Sequence, residues 1–568
     1  MGIRTVFNMD ITSKKNKIFI IGIDSATFDV ITPMIQKGEL PNLARLVREG
    51  CSGVLQSTIP PVTPPAWVSF MTGKNPGKHG VFDFYVSPSY GYVRPVWNSR
   101  YIKAKTIWRI LSDYGLKVGI VNLPMTYPPE EINGFMIPGM QYNLDGDGNF
   151  SHPPELMQEI KEHVGDYRVL YGDLESLYTN NMDRLLEEWR KIFEIRRKTI
   201  LYLMEHKEWD IFMAVFYSID VIQHHFWKFF DGNHPLYDKD LAVKYGKVIP
   251  EFYKMIDSAV GDILKMIDED VTVMVVSDHG AGSEEEAFSI NNWLYKEGFL
   301  SFRQAFSPLW RFRLPHIFYK GLRRLGFPGI AWTVPLDQLK KLGKAIDPRE
   351  GLNIPFFIDW KKTRAYGGNH TEQGIYINLR GREPLGVVEK GREYEKVRDM
   401  IIERLIDLKD SETGRPLDIK IYKKENVYHG PHIDDAPDIF VEIKGGKCLM
   451  QKEIHHERLF YRAYKSSGTH RKNGVFIMKG KGVKSGYSLG GARIMDSAPM
   501  ILYTLGIPVP DDMDGKVITD AFERDYILEN PVRSCASGEF VVTQGEGIMN
   551  KEESEMVKKS LRDLGYFG

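Results

Sequence analysis

The chain has 568 residues and sets 75 Lys and Arg against 75 Asp and Glu, so no bulk field draws it to nucleic acid. Its 42% hydrophobic content supports a large globular core, and no run reaches the roughly 18 apolar residues of a membrane span. Cys51, Cys448 and Cys535 lie far apart without a CxxC pair, which argues against a disulfide framework or a thiolate zinc site.

The first residues, MGIRTVFNMDITSKKNK, lack the apolar stretch of a signal peptide, and together with the cysteine usage they make a cytoplasmic location the expectation. Short, near-continuous apolar runs follow: KIFIIGI (17–23), KVGIVN (117–122), DIFMAVFY (210–217), VTVMVVS (271–277), GIYIN (374–378) and DIFVEI (438–443). Such runs suit strands buried on both faces. Helical segments lie between them, PNLARLVREG (41–50) and MDRLLEEWRKIFEIRRKTILYLMEHK (182–207) among them. The alternation predicts an α/β fold, a three-layer sandwich around a mostly parallel sheet, with ligands gathered at the carboxyl ends of the strands. Residues 300–345 mix aromatics with Arg and Lys. They are read as an inserted helical cap with a solvated basic face; contact with lipid or an anionic substrate is the sharper alternative. The expected organisation is a catalytic core from 1–290, an inserted cap from 291–362, the rest of the core from 363–530 and a charged tail from 531–568.

Polar residues at strand ends carry the chemistry. Asp24 directly follows the first strand, where a buried carboxylate needs a cation or donors, unless it simply caps a helix. Thr63 precedes Pro64 and Pro65 at a predicted helix N-terminus, a place that suits anions; it is an N-cap or, if its pKa is lowered, a nucleophile. His79 and Gly80 close that segment and read alone as a turn. Asp220 and His224 are four apart, so a helix there puts both on one face while His225 points elsewhere. Asp278 and His279, between a buried strand and Gly280, form the most specific local metal signal. His470, before another apolar run, is alone an ordinary loop histidine. As a set, three Asp and three His supply ligands for two divalent metals. Such a pair stabilises the attacking and leaving oxygens of an in-line displacement.

With these motifs in this order, the chain resembles the alkaline phosphatase superfamily, most nearly its type I phosphodiesterase and nucleotide pyrophosphatase branch. The carriers are GIDSATFD, the spacing from Thr63 through Thr72-Gly73 to His79-Gly80, Asp220 with His224, SDHG, His470 and the closing DSAPMILYTLGIPVPDDMDGKVI (496–518). The resemblance implies one metal held by Asp24, Asp278 and His279 with Thr63, and a second by Asp220, His224 and His470. Zinc is typical of the superfamily, and manganese competes. One departure stands out. Where the nucleotide pyrophosphatases have an Asn after the nucleophile, this chain has Ala66, followed by Trp67. Asn122 could substitute for that amide, or be a strand-end turn residue.

The expected activity is hydrolysis of a small-molecule phosphate ester, a phosphodiesterase or nucleotide pyrophosphatase acting through a phosphothreonine. A phosphomutase or phosphomonoesterase of the same superfamily is the alternative, although Thr63 stands where the mutases use serine. A sulfatase is a weaker alternative, since it needs a modified Cys or Ser at the nucleophile position and Cys51 is not placed for it. A metal- and phosphate-binding module without activity has no evident reason to keep the full ligand set.

Overall fold

The computed structural model describes residues 16–87, 91–92, 94, 96–139, 150–167, 181–303, 346–347, 351–352, 358–410, 413–452, 458–463 and 466–538. The elements that build the site are, in chain order, β1 (Ile18–Ile23), β2 (Cys51–Gln56), α1 (Thr63–Thr72), β3 (Val118–Leu123), β4 (Gly134–Pro138), α2 (Met182–His206), β5 (Ile211–Phe216), α3 (Ser218–Phe230), α4 (Val248–Met266), β6 (Thr272–Val276) and β7 (Gly280–Ser283). They are followed by β8 (Glu286–Ser289), β9 (Ala365–Gly367), β10 (Gly374–Ile377), α5 (Arg392–Ile406), β11 (Ile419–Lys423), β12 (Ile439–Ile443), β13 (Cys448–Gln451), β14 (Phe460–Arg462), β15 (Gly468–Arg471) and β16 (Asn473–Lys479).

The large sheet runs β2-β16-β6-β1-β5-β3-β4. Its pairs β1 with β5, β1 with β6, β3 with β5 and β3 with β4 are parallel, and only β16 runs against its two neighbours. The pleat of β1 explains the three layers. Phe19, Ile21 and Ile23 point into one apolar cluster with Trp189 and Phe193 of α2 and Phe252 and Ile256 of α4. Ile18 and Ile20 point into another with Trp67, Val68 and Met71 of α1. Successive side chains face opposite sides, so a strand that is apolar at every position must be covered twice. Gly22 lets α1 come close, because a Cβ there would sit 2.8 Å from Val215 Cγ2 and 3.0 Å from Trp67 Cη2.

A second sheet, β9-β10-β12-β13-β8-β14 with β11 on β12, is mostly antiparallel and has its own core around Phe288, Trp293, Ile375, Ile377, Ile401 and Val441. The runs at 374–378 and 438–443 belong here and not to the parallel sheet. Unbroken apolar character reports burial on both faces but not the direction of the neighbouring strand. Within the stretch 363–530, residues up to 462 build this second sheet, and β16 onward returns to the first. Most of the segment read as a cap, residues 304–345, lies outside the described residues, as does the end of the tail, 539–568. Among the described residues no helix is long and apolar enough to cross a membrane.

Candidate active site

The seven residues singled out in the sequence come together at the carboxyl ends of β1, β5 and β6. Asp24 leaves β1 at once, Asp220 and His224 lie in the first two turns of α3, and Asp278 and His279 fill the bend between β6 and β7. β15 pairs antiparallel with β7, with His470 opposite Ala281, and so brings His470 back from far along the chain.

Two triads result, Asp24 with Asp278 and His279, and Asp220 with His224 and His470. Within each, one ligand atom per residue lies within 4.8 Å of the others. His279 Nε2 stands 3.2 Å from Asp278 Oδ2 and 3.6 Å from Asp24 Oδ1. Asp220 Oδ1 is 3.5 Å from the Nε2 atoms of both His224 and His470. Each imidazole is oriented through its other nitrogen. His279 Nδ1 is 3.1 Å from the Gly280 carbonyl, His224 Nδ1 2.7 Å from that of Gly468, and His470 Nδ1 2.9 Å from that of Pro61. A carbonyl only accepts, so each Nδ1 carries the proton and each Nε2 turns a lone pair toward the carboxylates. That arrangement is how proteins present histidine to a metal.

Thr63 is the first residue of α1, buried, with Oγ1 3.2 Å from His279 Nε2. The backbone around it differs from the expectation of outward-pointing donors. Pro64 and Pro65 have no N–H, and the Ala66 N–H donates to Val62 O at 3.1 Å. The start of this helix therefore has no free donor for an anion at positions 64, 65 and 66. Asn122 does not fill the gap. Its Nδ2 donates to Val215 O at 3.1 Å, its Oδ1 accepts from Tyr167 at 2.9 Å, and its φ of 69° marks the register shift between Val121 and Leu123 near the end of β3. His79 is also structural. Its Nδ1 accepts from the Val81 N–H at 3.2 Å, its Nε2 is 3.0 Å from Ser69 Oγ, and burial pushes its pKa down to about 3.

The electrostatics suit a cationic occupant. Burial, and after it the neighbouring carboxylates, push Asp24 and Asp278 well above the usual carboxylate range. Burial opposes charge on Asp220 too, but His224, His470 and His279 hold it below that range. Burial also lowers His224 and His279. Asp24 Oδ1 and Asp278 Oδ2 are buried and accept no hydrogen bond. Three carboxylates this close and this deeply buried ionise together only around positive charge. The residues present thus fit two divalent cations by donor type and by these orphaned oxygens.

Several supports were not anticipated from the sequence. Trp67 Nε1 donates to Asp24 Oδ2 at 3.1 Å. Ser25, at φ 64°, donates its N–H to Asp278 Oδ1 at 3.3 Å. Gln223 Nε2 holds the Ser25 carbonyl at 2.9 Å, and Tyr253 donates to Gln223 Oε1 at 3.2 Å. Only adjacency could have flagged them, since Trp67 follows the departing position Ala66 and Gln223 precedes His224.

Residues 18–473 match the family described as type I phosphodiesterase / nucleotide pyrophosphatase. Among curated proteins none matches significantly. Among solved structures the chain is similar to human ectonucleotide pyrophosphatase / phosphodiesterase 5, at 13% identity over 89% of this chain and 100% of that one, with a TM-score of 0.49. It is also similar to phosphonoacetate hydrolase from Sinorhizobium meliloti 1021 in complex with phosphonoformate, at 14% identity over 86% of this chain and 95% of that one, with a TM-score of 0.47.

Proposed function

The chain belongs to the type I phosphodiesterase / nucleotide pyrophosphatase family and is a phosphoester hydrolase, and from that premise we propose that it cleaves a small-molecule phosphodiester through a phosphothreonine on Thr63. Asp24, Asp278 and His279, with Thr63, would hold one divalent cation, and Asp220, His224 and His470 the other; zinc suits the Asp and His donors, and manganese is the competitor. The observation that carries this reading is the placement of a buried helix-start hydroxyl, Thr63 Oγ1, 3.2 Å from His279 Nε2 at the edge of one of two buried triads. Bound there, the cations would lower the pKa of the hydroxyl and offset the charge of the phosphoryl oxygens.

The chain's own residues do the rest. Thr63 Oγ forms the bond to phosphorus as the ester P–O bond breaks; its proton is lost to solvent and the departing alkoxide takes one up. Water then attacks the same phosphorus, releasing the phosphorylated product and restoring the hydroxyl. Trp67 and the three carbonyl-anchored imidazoles keep the ligand set in place throughout. With Ala66 in place of an amide and two prolines withholding N–H groups, the cation sites carry most of the charge stabilisation that donors share elsewhere.

The test is turnover of bis-p-nitrophenyl phosphate and p-nitrophenyl phosphate by protein loaded with zinc or manganese, beside Thr63→Ala. The expected result is a preference for the diester that Thr63→Ala abolishes while keeping its metal. A preference for the monoester moves the assignment to a phosphatase or mutase, and full activity in Thr63→Ala removes the nucleophile.

A further inference from the structure

A cavity of about 680 Å³ opens between the large sheet and the second sheet. One wall is the strap from Thr58 to Val62 that leads into Thr63, the floor is His224, Trp227 and His470, and the opposite wall is Tyr422, Phe440 and Leu449. Of the two triads, only this one reaches the cavity, since Asp24, Asp278 and His279 take no part in its lining.

This asymmetry has a chemical meaning. In an in-line displacement the nucleophile and the departing oxygen stand on opposite sides of phosphorus. Thr63 lies against His279 of the other triad and, like that triad, takes no part in the cavity lining. We infer that the cavity receives the leaving alcohol, so that this enzyme selects its substrate by the group it expels and not by the group it retains. This rests on the proposed role of Thr63.

The wall also defines the class of alcohol. Lys420 is paired with Glu442 at 2.8 Å and Lys447 with Glu285 at 2.9 Å. Arg471 spends its guanidinium on the carbonyls of Gly446 and His470, each at 2.9 Å, and of Ser283. Arg471 and Lys472 share the lining with Asp29, Asp231 and Glu284, so among the described residues the wall has no surplus of positive charge for an anionic leaving group such as pyrophosphate. Tyr422, Phe440 and Leu449 offer apolar surface instead. The volume is that of a small-molecule site and several times what nitrophenol needs. The leaving group is accordingly a bulky, uncharged alcohol with an apolar face.

Two ester series test this on the metal-loaded enzyme. In the first, 4-nitrophenol always leaves while the retained group grows from methyl to phenyl. In the second, the retained group is fixed and the leaving phenol grows from 4-nitrophenol to a nitronaphthol of matched acidity. The expected result is a gain in kcat/KM of about tenfold in the second series and little in the first. Tyr422→Ala, which loses a half-buried ring, and Leu449→Trp, which fills the space, should each shrink the ratio between large and small leaving groups; because a ratio is read, partial misfolding does not imitate the effect. A gain that follows the retained group, or a preference for an ester that expels pyrophosphate, overturns the assignment. Thr63→Ala run on the same esters separates the two failures. Lost turnover with the gain on the retained side sinks only the pocket, whereas persistent turnover sinks the nucleophile beneath it.

Discussion

His224 Nε2 and His470 Nε2 face each other at 3.0 Å, although each ring already spends its Nδ1 proton on a backbone carbonyl. Two lone pairs at that separation repel unless something positive lies between or beside them. His470→Ala should therefore lower bound metal by about one cation per chain and cut turnover by about a hundredfold or more. Metal analysis after dialysis against a buffered chelator checks this. Unchanged stoichiometry would show that His470 is not a ligand.

Trp67→Phe keeps the ring packed against β1 and removes only the indole N–H that Asp24 accepts. The carboxylate then loses its one side-chain donor in a buried setting, at a cost of about 1–3 kcal/mol. We expect weaker metal retention at the Asp24, Asp278 and His279 triad, by about 10-fold to 100-fold. Chelator competition reads it, and wild-type retention would reduce Trp67 to core filling.

Tyr428, from the second sheet's side, donates its hydroxyl to the Ile59 carbonyl. Two residues on, the Pro61 carbonyl holds His470, and two further is Thr63. Tyr428→Phe should reduce kcat by about tenfold with little change in KM and only about 1 kcal/mol of lost stability. Equal loss in kcat and melting temperature for Tyr428→Phe and a remote core variant would make the effect merely structural.

Asp514 ties down the turn after α1. Burial would raise its pKa, but Lys78 Nζ at 2.6 Å, the Asn75 N–H and side chain at 2.8 Å each, and His429 at 2.9 Å bring it down to about 2. A depressed carboxyl stabilises the fold above the ordinary carboxylate pKa and loses that contribution as pH falls toward about 2. Wild type should thus lose on the order of 1–2 kcal/mol more than Asp514→Asn between pH 5 and pH 2.5. Denaturant melts at both pH values measure the difference, and parallel losses would contradict it.

The residues of the two triads could be picked out in the sequence because each sits beside an apolar run, and in a parallel sheet such runs converge on one end. Asp278 and His279 are legible for that reason, and Asp220 with His224 through helical spacing. The supports were not, because they depend on which distant segments meet. Nothing in the local sequence announces that Trp67 reaches back to Asp24, or that Tyr428 bonds Ile59. The runs at 374–378 and 438–443 show the same limit for the fold, since strand burial is a local property while sheet membership is set by pairing register. The departure at Ala66 was visible, but the loss of backbone donors at Pro64 and Pro65 became clear only with the Ala66 N–H seen bonded to Val62.

The two-stranded ribbon of β7 and β15 has a consequence for how this protein can change. The chain leaves this ribbon at Ser283 and comes back to it at Gly468, and those two residues are register partners. His470 is therefore placed against His279 by a ladder of main-chain hydrogen bonds, whatever is threaded between exit and return. Much of the second sheet can be reshaped, lengthened or exchanged like a tool head on a fixed chuck while the ribbon keeps the spacing of the two triads, so long as the Tyr428 brace on Ile59 is kept. New specificities are open to such a chain without rebuilding its chemistry, provided that no residue is gained or lost within the ribbon itself.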